Sequence, residues 1–75
     1  MKKFKVVGNS TIVDAEMNCR NLEEATALFF SLKTSGSYHK VYIADNETGE
    51  LYRTYDKQLI GGGIEETEWA SLDLM

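Results

Sequence analysis

Tyr38-His-Lys-Val-Tyr-Ile-Ala-Asp-Asn-Glu-Thr-Gly-Glu-Leu-Tyr-Arg-Thr-Tyr-Asp-Lys57 is the stretch that decides the fold. Val41, Ile43 and Asp45 alternate with Tyr42 and Ala44, the period-two pattern of a β-strand. Asn46-Glu-Thr-Gly49 reads as a turn, with Gly49 suited to the left-handed position that closes a bulged loop. Glu50 to Tyr55 then returns through residues that favour a pleated surface. The resulting hairpin is apolar on both faces, whereas a small sheet carrying one helix buries only one of them. In either register tyrosines fall on both sides, so at least one points away from the helix.

Upstream lies one clear helix. Asn21-Leu-Glu-Glu24 places an N-cap side chain three residues before a glutamate, the arrangement of a capping box. Leu22, Ala25, Leu28, Phe29 and Leu32 recur at three- and four-residue steps and form one apolar stripe. Gly36 supplies the stop. Before the helix, Lys3 to Val7 and Thr11 to Met17 read as two strands joined at Gly8-Asn9-Ser10, with a single long bent strand as the alternative. The expected fold is therefore α+β: a small antiparallel ββαββ sheet over residues 1–60, with the helix packed on one face.

Downstream, Gly61-Gly62-Gly63 has no side chains to hold it and reads as a hinge. Residues 64–75 follow as a tail in which acidic and apolar residues alternate. Trp69, Leu72, Leu74 and Met75 are too apolar for a solvated end, while Glu65, Glu66, Glu68 and Asp73 keep it soluble. The tail is expected either to fold back over the tyrosines with Trp69 as a cap, or to dock on a partner.

Seventy-five residues make one small domain with a marginal core. No apolar run approaches the roughly 20 residues of a membrane span, and no apolar stretch of signal-peptide type follows Met-Lys-Lys-Phe-Lys5. The expectation is a cytoplasmic protein with no membrane contact. The formal net charge is −4, and it is unevenly spread. Residues 1–40 carry Lys2, Lys3, Lys5, Arg20, Lys33 and Lys40 against Asp14, Glu16, Glu23 and Glu24, or +2. Residues 41–75 carry Arg53 and Lys57 against Asp45, Glu47, Glu50, Asp56, Glu65, Glu66, Glu68 and Asp73, or −6. An acidic chain repels phosphate backbones, which disfavours nucleic acid and favours a basic protein surface.

Catalytic and cofactor signals are poor, so no enzyme and no cofactor are expected. His39 is the only histidine, and its spacing supplies no partner base or acid. A single cysteine, Cys19, excludes an internal disulfide and reads as a small buried hydrophobe. Asp45-Asn-Glu-Thr-Gly-Glu50 has the wrong ligand spacing for a calcium loop, and no Lys-Ser/Thr follows the glycines to make a phosphate loop. The candidate site is instead a partner-binding surface: Tyr42, Tyr52 and Arg53 in the hairpin, Asp45, Glu47 and Glu50 beside them, and Glu65, Glu66, Glu68, Trp69, Leu72 and Leu74 in the tail. Self-association through the tyrosine face is the alternative.

Two resemblances bear on the partner. Ser71-Leu-Asp-Leu-Met75 resembles the short peptide with which bacterial replication proteins bind the sliding clamp; Leu72, Asp73 and Leu74 match it, while Ser71 and Met75 replace its glutamine and phenylalanine. In size, charge and apparent architecture the whole chain resembles the small inhibitors that bacteriophages encode against host defence, such as anti-CRISPR proteins. That resemblance implies binding to a host protein that handles nucleic acid, through Asp45, Glu47, Glu50 and the tail carboxylates.

Overall fold

The computed structural model of the chain describes residues 3–71. Its elements run β1 (Phe4–Asn9), β2 (Ala15–Cys19), α1 (Leu22–Ser35), β3 (Lys40–Asp45), β4 (Leu51–Ile60) and β5 (Gly63–Ala70). The strands form a single antiparallel sheet in the order β2-β1-β3-β4-β5, and α1 lies across one face over β1, β3 and β2. The α+β class and the ββαββ order follow the sequence reading, and a fifth strand stands where the acidic-apolar pattern suggested a tail.

The helix starts and stops where its sequence directs. Asn21 has extended backbone, and its side chain accepts from the Glu24 amide at 2.8 Å. Gly36 ends the helix in left-handed backbone at φ 76°. Ala25 and Phe29 are fully buried, with Leu22, Leu28 and Leu32 packed around them. Beneath them Val6, Val41 and Ile43 lose all solvent contact. Burial of each large side chain contributes about 1.5–3 kcal/mol, so this layer holds the domain together.

The N-terminal hairpin departs from expectation. Gly8 lies inside β1, paired with Ala15 and Val41, and the Tyr38 ring packs against it. A Cβ at Gly8 would stand 2.9 Å from Tyr38 Cδ1, so this glycine permits a close approach rather than a turn. The connection is the loop 10–14, in which Ser10 Oγ accepts from the amides of Ile12 and Val13.

A bulge in β4 sets the orientation of the central hairpin. Ile43 pairs with Arg53 and Ala44 with Leu51, so Tyr52 is one residue too many for β3. An extra residue turns two successive side chains to the same side. Tyr52 and Arg53 both face the helix: Tyr52 packs edge-on to Phe4 at 5.4 Å, and the Arg53 guanidinium lies over the Phe29 and Phe30 rings.

The glycine run is a turn, not a hinge. Ile60 pairs with Gly63, while Gly61 and Gly62 both have positive φ, 56° and 85°. Such a pair makes the two-residue turn whose twist matches antiparallel strands. Residues Gly63–Ala70 then pair with β4 along their whole length. The stretch looks like a tail in sequence because the groups that neutralise its carboxylates lie on other elements.

Candidate functional site

The pairings sort every strand residue onto one of two faces. Away from the helix, Glu16, Val7, Tyr42, Thr54 and Trp69 are successive cross-strand partners and make one transverse row. Neighbouring strands lie about 4.8 Å apart, so Tyr42 and Trp69 stand roughly 10 Å apart with Thr54 between them. The adjacent row holds Asn18, Lys5, Ala44 and Leu51. Trp69 is 52% exposed and Leu51 41%. Lys40 Nζ lies 5.9 Å from the centre of the Tyr42 ring, within reach of its negative face. An open cavity of about 420 Å³ is lined by Lys5, Lys40, Tyr42, Ala44 and Leu51, among others. Two aromatics, a leucine and two lysines thus share a face that no element of the described residues covers.

Five of the other sequence-predicted site residues bond within the fold. Asp45 is buried; its Oδ1 accepts from the Glu47 and Thr48 amides at 2.7 and 3.0 Å, and its Oδ2 from the Tyr52 hydroxyl at 3.2 Å. The Thr48 and Glu47 amides hold its carboxyl below the ordinary value of 3.8, against the opposing pull of desolvation. Asp45 is the clasp of the β3–β4 turn. Arg53 Nη1 donates to Glu68 Oε2 at 3.0 Å, and Lys33 Nζ donates to Glu68 Oε1, so this glutamate ties β5 to β4 and α1. Tyr55 donates its hydroxyl to Glu66 Oε1 at 2.6 Å. That bond, with desolvation and the nearby carboxylates, pushes the phenol up to about 12. Tyr52, Arg53 and Asp45 therefore turn away from the open face, while Glu66 and Glu68 stay exposed on the helix side although each bonds within the fold.

What else remains exposed is smaller. Glu47 and Glu50 sit in the β3–β4 turn and Glu65 lies on the open face of β5. Trp69 reaches that face but does not cap the tyrosines, because β5 adds to the edge of the sheet instead of folding over it. Leu72 and Leu74 lie outside the described residues, as does the clamp-like peptide beyond Ser71. Cys19 is fully buried in the core opposite Phe4. His39 lines a cavity of about 360 Å³ with Lys57, Gln58, Leu59 and Ile64, none of them a carboxylate.

Sequence reasoning passed over Lys5 and Leu51, because Leu51 depends on the bulge and Lys5 on which strand lies next to β3. It also passed over the tip of the β4–β5 hairpin, where Leu59, Ile60 and Ile64 are exposed. Among the described residues no helix is long and apolar enough to cross a membrane, and no group of three or more His, Cys, Asp or Glu side chains could hold a metal ion. No protein-family model, curated protein or solved structure matches this chain.

Proposed function

We propose that the chain is a protein-binding module without chemistry of its own, and that the open face of its sheet is the binding surface. The observation that carries this reading is the row that sets Tyr42 and Trp69 on the uncovered face, with Leu51 beside them. Aromatic side chains of this kind anchor protein interfaces because they bury much area for few rotatable bonds. Lys5 and Lys40 at the cavity, and Glu47, Glu50 and Glu65 toward the rim, supply the polar surround that fixes orientation. The net charge of −4 suits a partner with a basic surface. Inhibition of a host complex that handles nucleic acid is the specific form that the resemblance to phage-encoded inhibitors gives to this reading.

The test is recovery of a partner from a host lysate on the immobilised chain, compared with Tyr42→Ala and Trp69→Ala. Either substitution should weaken recovery about tenfold or more, the loss of one anchor's worth of free energy. Equal recovery by all three proteins would dismiss the open face. A stable dimer by light scattering, lost in both variants, would replace the outside partner with a second copy.

A further inference from the structure

The sheet has an edge as well as a face. β5 pairs with β4 on one side, and no other element of the described residues flanks it on the other. In an antiparallel ladder alternate residues direct both backbone groups to the same neighbour. The Ser71 amide donates to the Tyr52 carbonyl, which sets the phase: residues 63, 65, 67, 69 and 71 bond to β4. Ile64, Glu66, Glu68 and Ala70 therefore direct their N–H and C=O groups outward.

Unpaired edges invite another strand, and proteins guard them with proline, bulges or charge. The chain has no proline, and the β4–β5 register runs without a bulge. The guards of β5 are glutamates alone. Glu65 stands on the open face, while Glu66 and Glu68 stand on the helix side. Glu68 is neutralised by Lys33 and Arg53, so the charges offered to an incoming strand are those of Glu65 and Glu66.

Carboxylate guards exclude some partners and attract others. In an antiparallel pairing of β5 with a second copy, outward residues meet outward residues. The registers centred on Glu66 or on Glu65 then set two unneutralised carboxylates face to face, Glu66 against Glu66 or Glu65 against Glu65. Like charges directly opposite each other destabilise a strand pair. A strand bearing lysine or arginine at those positions gains where a second copy loses.

We infer that the outer edge of β5 takes up an extended basic segment of another protein, which joins the sheet as a sixth strand. This deepens the protein-binding reading and rests on it. Main-chain bonds to Ile64, Glu66, Glu68 and Ala70 supply affinity. Glu65 and Glu66 select lysine or arginine on the two faces, and Trp69 offers an apolar contact on the open side.

Amide hydrogen exchange read by NMR tests the inference, because the predicted footprint alternates. The probe is a synthetic peptide of alternating lysine and valine, matched in length to β5, with a glutamate–valine peptide as control. On adding the lysine peptide, exchange at Ile64, Glu66, Glu68 and Ala70 should slow about tenfold or more, while Glu65, Thr67 and Trp69, already bonded to β4, change little. Added salt should weaken the effect, and Glu65→Lys, at a side chain that supports nothing in the fold, should lower affinity for the lysine peptide. Three results overturn the inference: no slowing at the four outward amides, slowing at consecutive amides, or the same footprint from the glutamate peptide or from the chain alone at high concentration. Loss of the footprint while Tyr42→Ala still abolishes partner recovery leaves the open-face reading intact. A footprint with unchanged recovery by that variant overturns the open face and keeps the edge.

Discussion

The two faces of the sheet are built from the same strands and follow opposite rules. On the helix face Val6, Val41, Ile43 and Phe29 are fully buried, and the polar side chains among them bond within the fold: Asp45 with its turn, Tyr55 with Glu66, Lys33 and Arg53 Nη1 with Glu68, while Arg53 Nε is buried without a hydrogen-bond partner among the described residues. On the open face Tyr42, Leu51 and Trp69 remain partly or largely exposed beside Lys5 and Lys40. Both faces carry tyrosines and charges, so residue type does not distinguish them. Occupancy does: a charged group that already has its partner inside the fold stabilises the fold, and one that faces solvent remains available to another molecule.

That contrast should break most visibly at the centre of the covered face. Phe29→Ala should cost about 3–5 kcal/mol, through lost transfer energy and a cavity under the helix, read as a lower midpoint in urea unfolding. Next comes the turn that makes β5 a strand. Gly62 has φ 85°, and Gly62→Ala forces a side chain into left-handed backbone at a cost of about 1–2 kcal/mol. If the glycines were a hinge, the same substitution would leave the unfolding midpoint unchanged.

A smaller effect is expected where the two regions meet. Tyr55→Phe removes the bond to Glu66 and should cost about 1 kcal/mol at neutral pH. It also carries a pH signature. The folded phenol value, about 12, lies above the ordinary value of 10. The stabilisation is therefore whole below pH 10 and is lost as pH climbs through about 12. The variant should lose stability less steeply across that window, as followed by circular dichroism. The smallest effect on stability belongs to the open face. Tyr42→Ala should shift unfolding by no more than about 0.5 kcal/mol while weakening partner recovery, the inverse of Phe29→Ala. A large loss of stability from Tyr42→Ala would make the open face a second core and erase the contrast.

Local signals were legible where local chemistry decides. The Asn21 cap, the stripe from Leu22 to Leu32, the Gly36 stop and the Gly49 turn position each follow from side chains within a few residues of one another. Gly8 was misread because the reason for it, Tyr38, stands on a segment thirty positions away in the chain. Tyr52 and Arg53 carry the composition of an interface, but one extra residue in β4 turned both toward the helix, and no sequence pattern marks that bulge. Glu66 and Glu68 read as a solvated tail for the same reason: their partners Tyr55, Lys33 and Arg53 are distant in sequence.

By itself the sequence determined that the chain folds as a small α+β domain around one capped amphipathic helix and a tyrosine-bearing hairpin. Periodicity and capping act over a few residues and need no tertiary partner to be read. Tertiary structure alone decided that residues 63–70 extend the sheet as β5, and that Tyr42 and Trp69 share the uncovered face. It alone decided that Asp45, Arg53, Glu66 and Glu68 find hydrogen-bond partners within the fold. Strand order, a bulge and a two-residue turn set those outcomes, and each depends on which backbone groups meet across the sheet.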